Sequence, residues 1–242
     1  MNDQLARAVA AHGGLDRWNK FKKVTATYVG GGGLWPMKGL EVFPHPIEVI
    51  VTLHEETSSI SPFGQPDWRA YFTPERIAIE TTTGTVVSER SDPRAFFAGH
   101  IMETPWDPLH LTYFSGYALW TYLTTPFSLA MPGFEVAEIS PWQEGSELWR
   151  GLRARFPNRI ASHSKEQDFY FGDDFLLRRH DYHVDVAGGF PVAHYVYDIV
   201  EVDGLRFPTK RRGYLRGPHL KPIRDLLLAS ITYVASKFRL TA

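Results

Sequence analysis

Two groups of titratable residues in this 242-residue chain have types and spacing suited to acid–base chemistry. The first is a stretch carrying His100, Glu103, Asp107 and His110. An imidazole supplies a base near neutral pH, and a neighbouring carboxylate orients it. The plainer role for such a histidine is a hydrogen bond to backbone. The second group lies between Ser164 and Tyr214, where Asp181, His183, His194, Asp198 and Arg211 recur among valines and tyrosines. His194 is its candidate general base, and Asp181 is expected near it. Asp198 and Arg211 are expected to form a salt bridge, because buried charges must pair. If these side chains instead line a convex face, they are ordinary surface groups.

Other chemistries find little support. His180 and His183 are three apart, a spacing that throws their rings to opposite faces of a strand, and His163 with Glu166 has the same defect. No metal site is expected. Gly30 to Gly33 lacks the Lys-Ser/Thr of a phosphate loop and the GxGxxG spacing, so it reads as a bulge or a close backbone approach, and no cofactor is expected. No Gly-x-Ser-x-Gly elbow is present for a serine nucleophile.

A third group is aromatic. The run LTYFSGYALWTYL, Leu111 to Leu123, reads as a helix. At about 100° per residue it sets Tyr113, Tyr117 and Trp120 on one side, with Leu111, Ala118 and Tyr122 on another. A helix apolar nearly all round is enclosed by the rest of the fold. Trp35, Trp106, Tyr113, Phe114, Tyr117 and Trp120 are therefore the candidate ligand-binding set, since small-molecule cavities are mostly apolar with few placed polar groups. The competing role is simple core filling.

The elements that position these groups are mostly strands. Gln167 to Phe171, Phe175 to Asp185, Val192 to Val202 and Leu205 to Leu215 read as consecutive antiparallel strands, rich in Val and Tyr with period-two patterning. Asp203-Gly204 between the last two is a strong hairpin signal. A two-residue turn there fixes the register: Val202 faces Leu205, Val200 faces Phe207, Asp198 faces Thr209 and Val196 faces Arg211. His194, Asp198 and Arg211 then share one face, while Tyr195, Tyr197 and Tyr214 share the other.

The segments FYFGDDFLLRRHDY and AHYVYDIVEVDGLRFPTKRR within this meander resemble the C-terminal half of the LolA-like superfamily, the outer-membrane lipoprotein carrier fold. They are closer to its uncharacterised bacterial members than to the carrier itself. The resemblance implies a mainly β protein: a single antiparallel sheet curved into a half-barrel that encloses a helical plug over an apolar cavity. It also implies an apolar small molecule or lipid as partner.

The rest of the chain fits that expectation. Asn2 is expected to cap a helix to Ala11, with His12 at its C-terminal end as a partial positive charge facing the dipole. Leu15 to Phe21 is a second helical turn. Val24 to Val29 begins the sheet, Leu34-Trp35 resumes a strand, and Leu40 to Phe43, Ile47 to His54, Thr57 to Ile60, Trp68 to Phe72, Arg76 to Glu80 and Val86 to Glu89 continue it. Asp92-Pro93 opens a helix to Phe97. Phe134 to Ile139 and Leu148 to Phe156 form a hairpin, and Leu226 to Phe238 is the last strand. With no linker or repeat, residues 1–242 read as one domain, a sheet of about ten strands.

Composition excludes several classes. Net charge is −1 with no basic block, so no nucleic-acid footprint is present. No run reaches the roughly 18 apolar residues of a membrane span. Cysteine is absent, which removes disulfides, thiolate metal sites and thiol nucleophiles. The early Asp and Arg in MNDQLARAVAAHGG do not fit a secretory signal, so a cytoplasmic location is expected. The expected function is binding of a hydrophobic or aromatic small molecule in an aromatic-lined cavity. The alternative is a cofactor-free isomerase, hydratase or hydrolase that uses a His–carboxylate pair there. A third reading is a structural partner protein. The sequence sets no oligomeric state.

Overall fold

The computed structural model describes residues 1–41 and 45–242. Its strands are β1 Lys23–Gly31, β2 Ile47–Thr52, β3 Ser58–Ser61, β4 Trp68–Phe72, β5 Arg76–Thr81, β6 Val86–Ser91, β7 Glu135–Glu144, β8 Glu147–Arg155, β9 Glu166–Phe171, β10 Leu177–Val184, β11 Phe190–Val202, β12 Leu205–Arg216, β13 Pro222–Tyr233 and β14 Arg239–Thr241. They form one 14-stranded antiparallel sheet, so the expected count of about ten was low. The order is β6-β5-β4-β3-β2-β1-β13-β12-β11-β10-β9-β8-β7, with β14 paired to β1. Sequence neighbours pair except at β1, which takes both β13 and the C-terminal strand β14. The β1–β13 pairing joins the two halves into a single curved sheet. The edges β6 and β7 do not pair, so the sheet is a half-barrel rather than a closed barrel.

The helix α4, Pro108–Thr124, follows α1 Asp3–Ala11, α2 Leu15–Trp18 and α3 Leu34–Met37 and fills the concave side. Its first turn is fixed by a reciprocal cap. Asp107 Oδ1 accepts from the His110 backbone N–H at 2.7 Å, and the Asp107 N–H donates to His110 Nδ1 at 3.2 Å. Pro108 occupies the first helical position, where its missing N–H costs nothing. Its burial is nearly complete: Leu111 to Phe114 and Gly116 to Thr124 are all buried. Trp120 Nε1 donates to the carbonyls of Thr52 (2.9 Å) and Glu55 (2.8 Å), which ties the helix to the end of β2.

Local chemistry explains the turns. The β11–β12 hairpin has the expected register, with Val202 opposite Leu205, Val200 opposite Phe207 and Val196 opposite Arg211. Asp203 and Gly204 carry φ of 49° and 76°, the positive pair that a primed turn requires. At the end of β1 the glycine run is a close approach. A side chain at Gly32 would collide with the Leu228 carbonyl of β13. The Asn2 cap forms as expected, its side chain accepting from Leu5 N–H at 2.8 Å.

Several expectations are corrected. Leu34-Trp35 does not resume a strand; it begins α3, directly after the backbone turns away at Gly32 and Gly33. Leu40 to Phe43 is not a strand at Leu40 and Glu41, and Val42 and Phe43 lie outside the described residues. Pro93–Phe97 is a 3-10 helix without a side-chain cap from Asp92. The strand after Gly172 starts at Leu177 rather than Phe175, because Phe175 adopts a left-handed φ of 58°. The last long strand stops at Tyr233, and a 3-10 turn at Ala235–Lys237 separates it from β14. His12 is not a charged cap. It is buried, its Nδ1–H donates to the Ala8 carbonyl over 2.7 Å, and burial lowers its pKa to about 4.

Candidate functional site

Between α4 and the concave face of β1–β3 and β10–β13 lies a cavity of about 70 Å³. From the helix it is lined by Leu111, Phe114, Ser115, Ala118, Leu119 and Tyr122. From the sheet, Tyr28, Ile47, Ile60, Tyr182, Val184, Val192, His194, Leu228 and Ile231 contribute, and Leu34 and Trp35 come from α3. Strand alternation explains this wall: Tyr182 and Val192 are cross-strand partners, as are Val184 and Phe190, so their side chains leave the same face. The lining is mostly apolar; besides Tyr28, Ser115 and Ser230 it carries a band of hydroxyl and imidazole groups at Tyr122, Tyr182 and His194.

That band is a continuous hydrogen-bonded chain. His163 Nε2 meets Tyr122 Oη at 2.8 Å, Tyr122 Oη meets Tyr182 Oη at 3.1 Å, and Tyr182 Oη meets His194 Nδ1 at 3.0 Å. His163 stacks on Tyr182 with ring centroids 3.9 Å apart. Next to the chain, His180 Nε2 bonds Gln167 Oε1 at 2.6 Å and its ring stacks on Phe169. Low polarity disfavours every charged form here. Burial lowers His163 to about 3 and holds His180 and His194 well below the usual imidazole range. It pushes Tyr122 up to about 12 and Tyr182 well above the normal phenol value. The network is therefore neutral at physiological pH. It can pass hydrogen bonds in either sense, because each phenol both donates and accepts.

Arg211 stands on the same face. It follows from the register: β12 sets Gly213 opposite His194, and Arg211 is two residues along. The side chain is buried at 1% exposure. Nη2 donates to the Tyr122 carbonyl at 2.6 Å, and the guanidinium carbon lies 4.6 Å from the centre of the Tyr122 ring. Nε and Nη1 are buried with no partner among the described residues. Burial lowers its pKa, while Tyr233, Tyr122 and Tyr182 act in the opposite sense.

The comparisons place this arrangement among known folds. No family model matches the chain. No curated protein matches it either. Solved structures do. A DUF1329 family protein from Desulfovibrio piger superimposes with a TM-score of 0.54 at 11% identity, covering 98% of this chain and 91% of that one. A LolA superfamily protein from Nitrosomonas europaea gives 0.52 at 7% identity, covering 94% and 92%. A domain named for outer membrane lipoprotein sorting, from Vibrio parahaemolyticus, gives 0.51 at 8%, covering 99% and 93%. The fold is LolA-like.

Within this LolA-like half-barrel the residues singled out from sequence separate. Trp35, Phe114 and His194 line the cavity. Trp106 packs behind Phe114, with centroids 5.0 Å apart, and lies under the Lys38 ammonium. Tyr113 faces Phe72 and Phe97, Tyr117 faces Phe114 and His163, and Trp120 bonds to β2's end, so these three are buried away from the cavity lining. The helical periodicity was read correctly, and the face that turns to the cavity is the one bearing Leu111, Ala118 and Tyr122.

The expected His–carboxylate pairs do not form. Asp181 is opposite Ala193, and it is His180 that faces His194, so Asp181 leaves the convex side. Asp198 is exposed, has a left-handed φ of 55° and pairs with Lys210 at 2.6 Å, not with Arg211. In the loop, Asp107 is occupied in capping α4 and in a 2.8 Å ion pair with Arg90. His100 lies 5.0 Å from the His110 ring, outside the cavity, and burial followed by the His110 and Lys38 charges lowers its pKa. Glu103 acts only as a distant charge on Lys38, whose Nζ anchors the loop through the Ile101 (3.0 Å) and Thr104 (3.2 Å) carbonyls. His183 is on the convex side, 3.4 Å from Arg216 Nη2.

Sequence reasoning missed Tyr122, Tyr182 and His163 as a set. The signal lay in the turn between β10 and β11. Pairing the apolar residues Val184 with Phe190 and Tyr182 with Val192 fixes the register and brings His180 to His194. Among the described residues, no group of three or more His, Cys, Asp and Glu could hold a metal ion, and no helix is long and apolar enough to cross a membrane.

Proposed function

We propose that this protein binds a hydrophobic small molecule or lipid in the cavity between α4 and the concave sheet. The observation that carries the proposal is the mostly apolar lining, with a hydrogen-bonded polar band at Tyr122, Tyr182 and His194. Ligand sites commonly combine an apolar wall with a few placed polar groups. The fold likeness to a LolA superfamily protein supports the same reading. The bound molecule is slender, since the cavity measures about 70 Å³.

The enzyme alternative rests on a histidine beside a carboxylate. His194 reaches the cavity, but the charges acting on it are those of Arg211, His163 and Arg212, none of them acidic. The binding reading is therefore preferred.

The test is mass spectrometry of an organic extract from the denatured, purified protein, run beside an Ala118→Phe variant. Ala118 lines the cavity, and a phenyl ring there fills it. An apolar compound recovered stoichiometrically from the parent and lost from the folded variant supports the proposal. Equal recovery from both places the ligand elsewhere and defeats it.

A further inference from the structure

Resting on the binding reading, we propose a ligand class: a short- to medium-chain carboxylate, its tail along the apolar lining and its head group on Arg211. The argument starts from an imbalance. Arg211 is fully enclosed, yet its electrostatic neighbours are Tyr233, Tyr122 and Tyr182, with no acidic side chain among them. A buried guanidinium is ordinarily paired with a carboxylate, because burying an uncompensated charge is costly. Here Nε and Nη1 have no partner among the described residues.

They are not alone. Tyr233 Oη and His194 Nε2 are also buried without partners. All three side chains issue from the concave face: Arg211 is opposite Ile231, Tyr233 is the next inward residue of β13, and His194 is opposite Gly213. Their common need is an acceptor. Arg211 offers N–H donors in a planar fork that fits a carboxylate with two parallel bonds. Tyr233 offers a hydroxyl, and its burial pushes its pKa up, so it remains a donor. His194 Nε2 carries the proton when the phenol chain runs so that Tyr182 donates to Nδ1.

The cavity ends against this cluster: His194 lines it, while Arg211 and Tyr233 stand one layer behind its wall. Tyr122, His194, Gly213 and Ile231 line it, and each is a direct neighbour of Arg211 by contact or register. Gly213 lies between Arg211 and the open space on that face of β12, and it has no side chain to close the route. An amphiphilic acid satisfies both halves of the site, whereas an alcohol or an ester leaves the guanidinium without a counter-charge.

Isothermal titration at neutral pH with octanoate, octan-1-ol and octyltrimethylammonium tests this on the intact protein. The expected result is octanoate binding roughly tenfold or more tighter than octanol, with no binding of the cation. In Arg211→Met that preference should shrink to about twofold, while octanol affinity is unchanged. Tyr233→Phe, which keeps the charge, should weaken octanoate by about threefold and provides the readout should the methionine variant not fold. Octanol and octanoate binding equally well to the parent overturns the carboxylate assignment and leaves the apolar site standing. Failure of every probe to bind overturns both readings.

Discussion

Two arginines buried on opposite faces of the same sheet, on strands separated by β11, follow opposite designs. Arg179, on β10, is 0% exposed on the convex side. Its Nε and Nη2 donate to the two oxygens of Asp181 at 2.6 Å, Nη1 donates to Tyr195 Oη at 3.1 Å, and Nη2 also meets the Leu220 carbonyl. Trp142 covers the guanidinium at 4.4 Å, and Arg216 adds a second cation to Asp181 at 2.9 Å. Arg211, on β12 and the concave side, has the Tyr122 carbonyl and ring alone. Convex-side burial is self-sufficient and cements the meander. Concave-side burial leaves donors uncommitted beside a cavity. The difference teaches that burial of a charge says little by itself; what matters is whether its partners come from the chain.

The largest expected effect concerns acid. His12, His163, His180 and His194 are all held neutral by burial, with His12 lowered to about 4 and His163 to about 3. Between the unfolded value of 6.5 and these folded values, the unfolded chain binds the extra protons. Stability is therefore full above that upper value and falls as pH drops through the window. Each such histidine contributes a slope of up to about 1.4 kcal/mol per pH unit. Urea titrations across this range should show a cumulative loss of several kcal/mol. A flat profile would mean that the concave network is wet or already charged.

Asp181→Ala comes next. It strands Arg179 and Arg216 beside one another in a buried site, and the expected loss is about 3–5 kcal/mol by urea unfolding. A loss under 1 kcal/mol, read on the same scale, would show that water reaches the convex cluster.

Tyr182→Phe removes the middle of the phenol–imidazole chain and leaves His194 Nδ1 and Tyr122 Oη with fewer partners. About 1–2 kcal/mol should be lost. The smallest effect is expected for Arg211→Met, which exchanges a poorly paired buried charge for an apolar side chain of similar reach. Its stability should stay within about 1 kcal/mol of the parent or rise. A loss as large as that of Asp181→Ala would erase the distinction between the two arginines.

Much of the architecture was legible in the chain. Asp203-Gly204 can adopt only a few turn geometries, so it fixed the β11–β12 pairing and placed His194 and Arg211 on one face. The all-round apolar character of Leu111 to Leu123 required an enclosed helix, and α4 is enclosed. Two of the six aromatic candidates line the cavity. They are Phe114 and Trp35; Tyr113, Tyr117 and Trp120 pack into the core, because the helix turns its Leu111, Ala118 and Tyr122 side to the cavity.

The rest required the third dimension. Asp181 and His180 differ by one position, and a slip of one residue in the β10–β11 turn exchanges the faces of every side chain on the strand. Asp107 and His110 stood in a group with acid–base potential, because capping and catalysis use the same residue types. Local sequence determined the strands, the hairpin, the plug helix and the alternation of side chains, since these depend on short-range sterics and periodicity. The tertiary structure alone decided that His163, Tyr122, Tyr182 and His194 form one chain, and that Arg211 lacks the acid which Arg179 has. Those facts depend on β13 joining β1 to β12 and on the curvature that folds α4 against the meander, and no local pattern encodes either one.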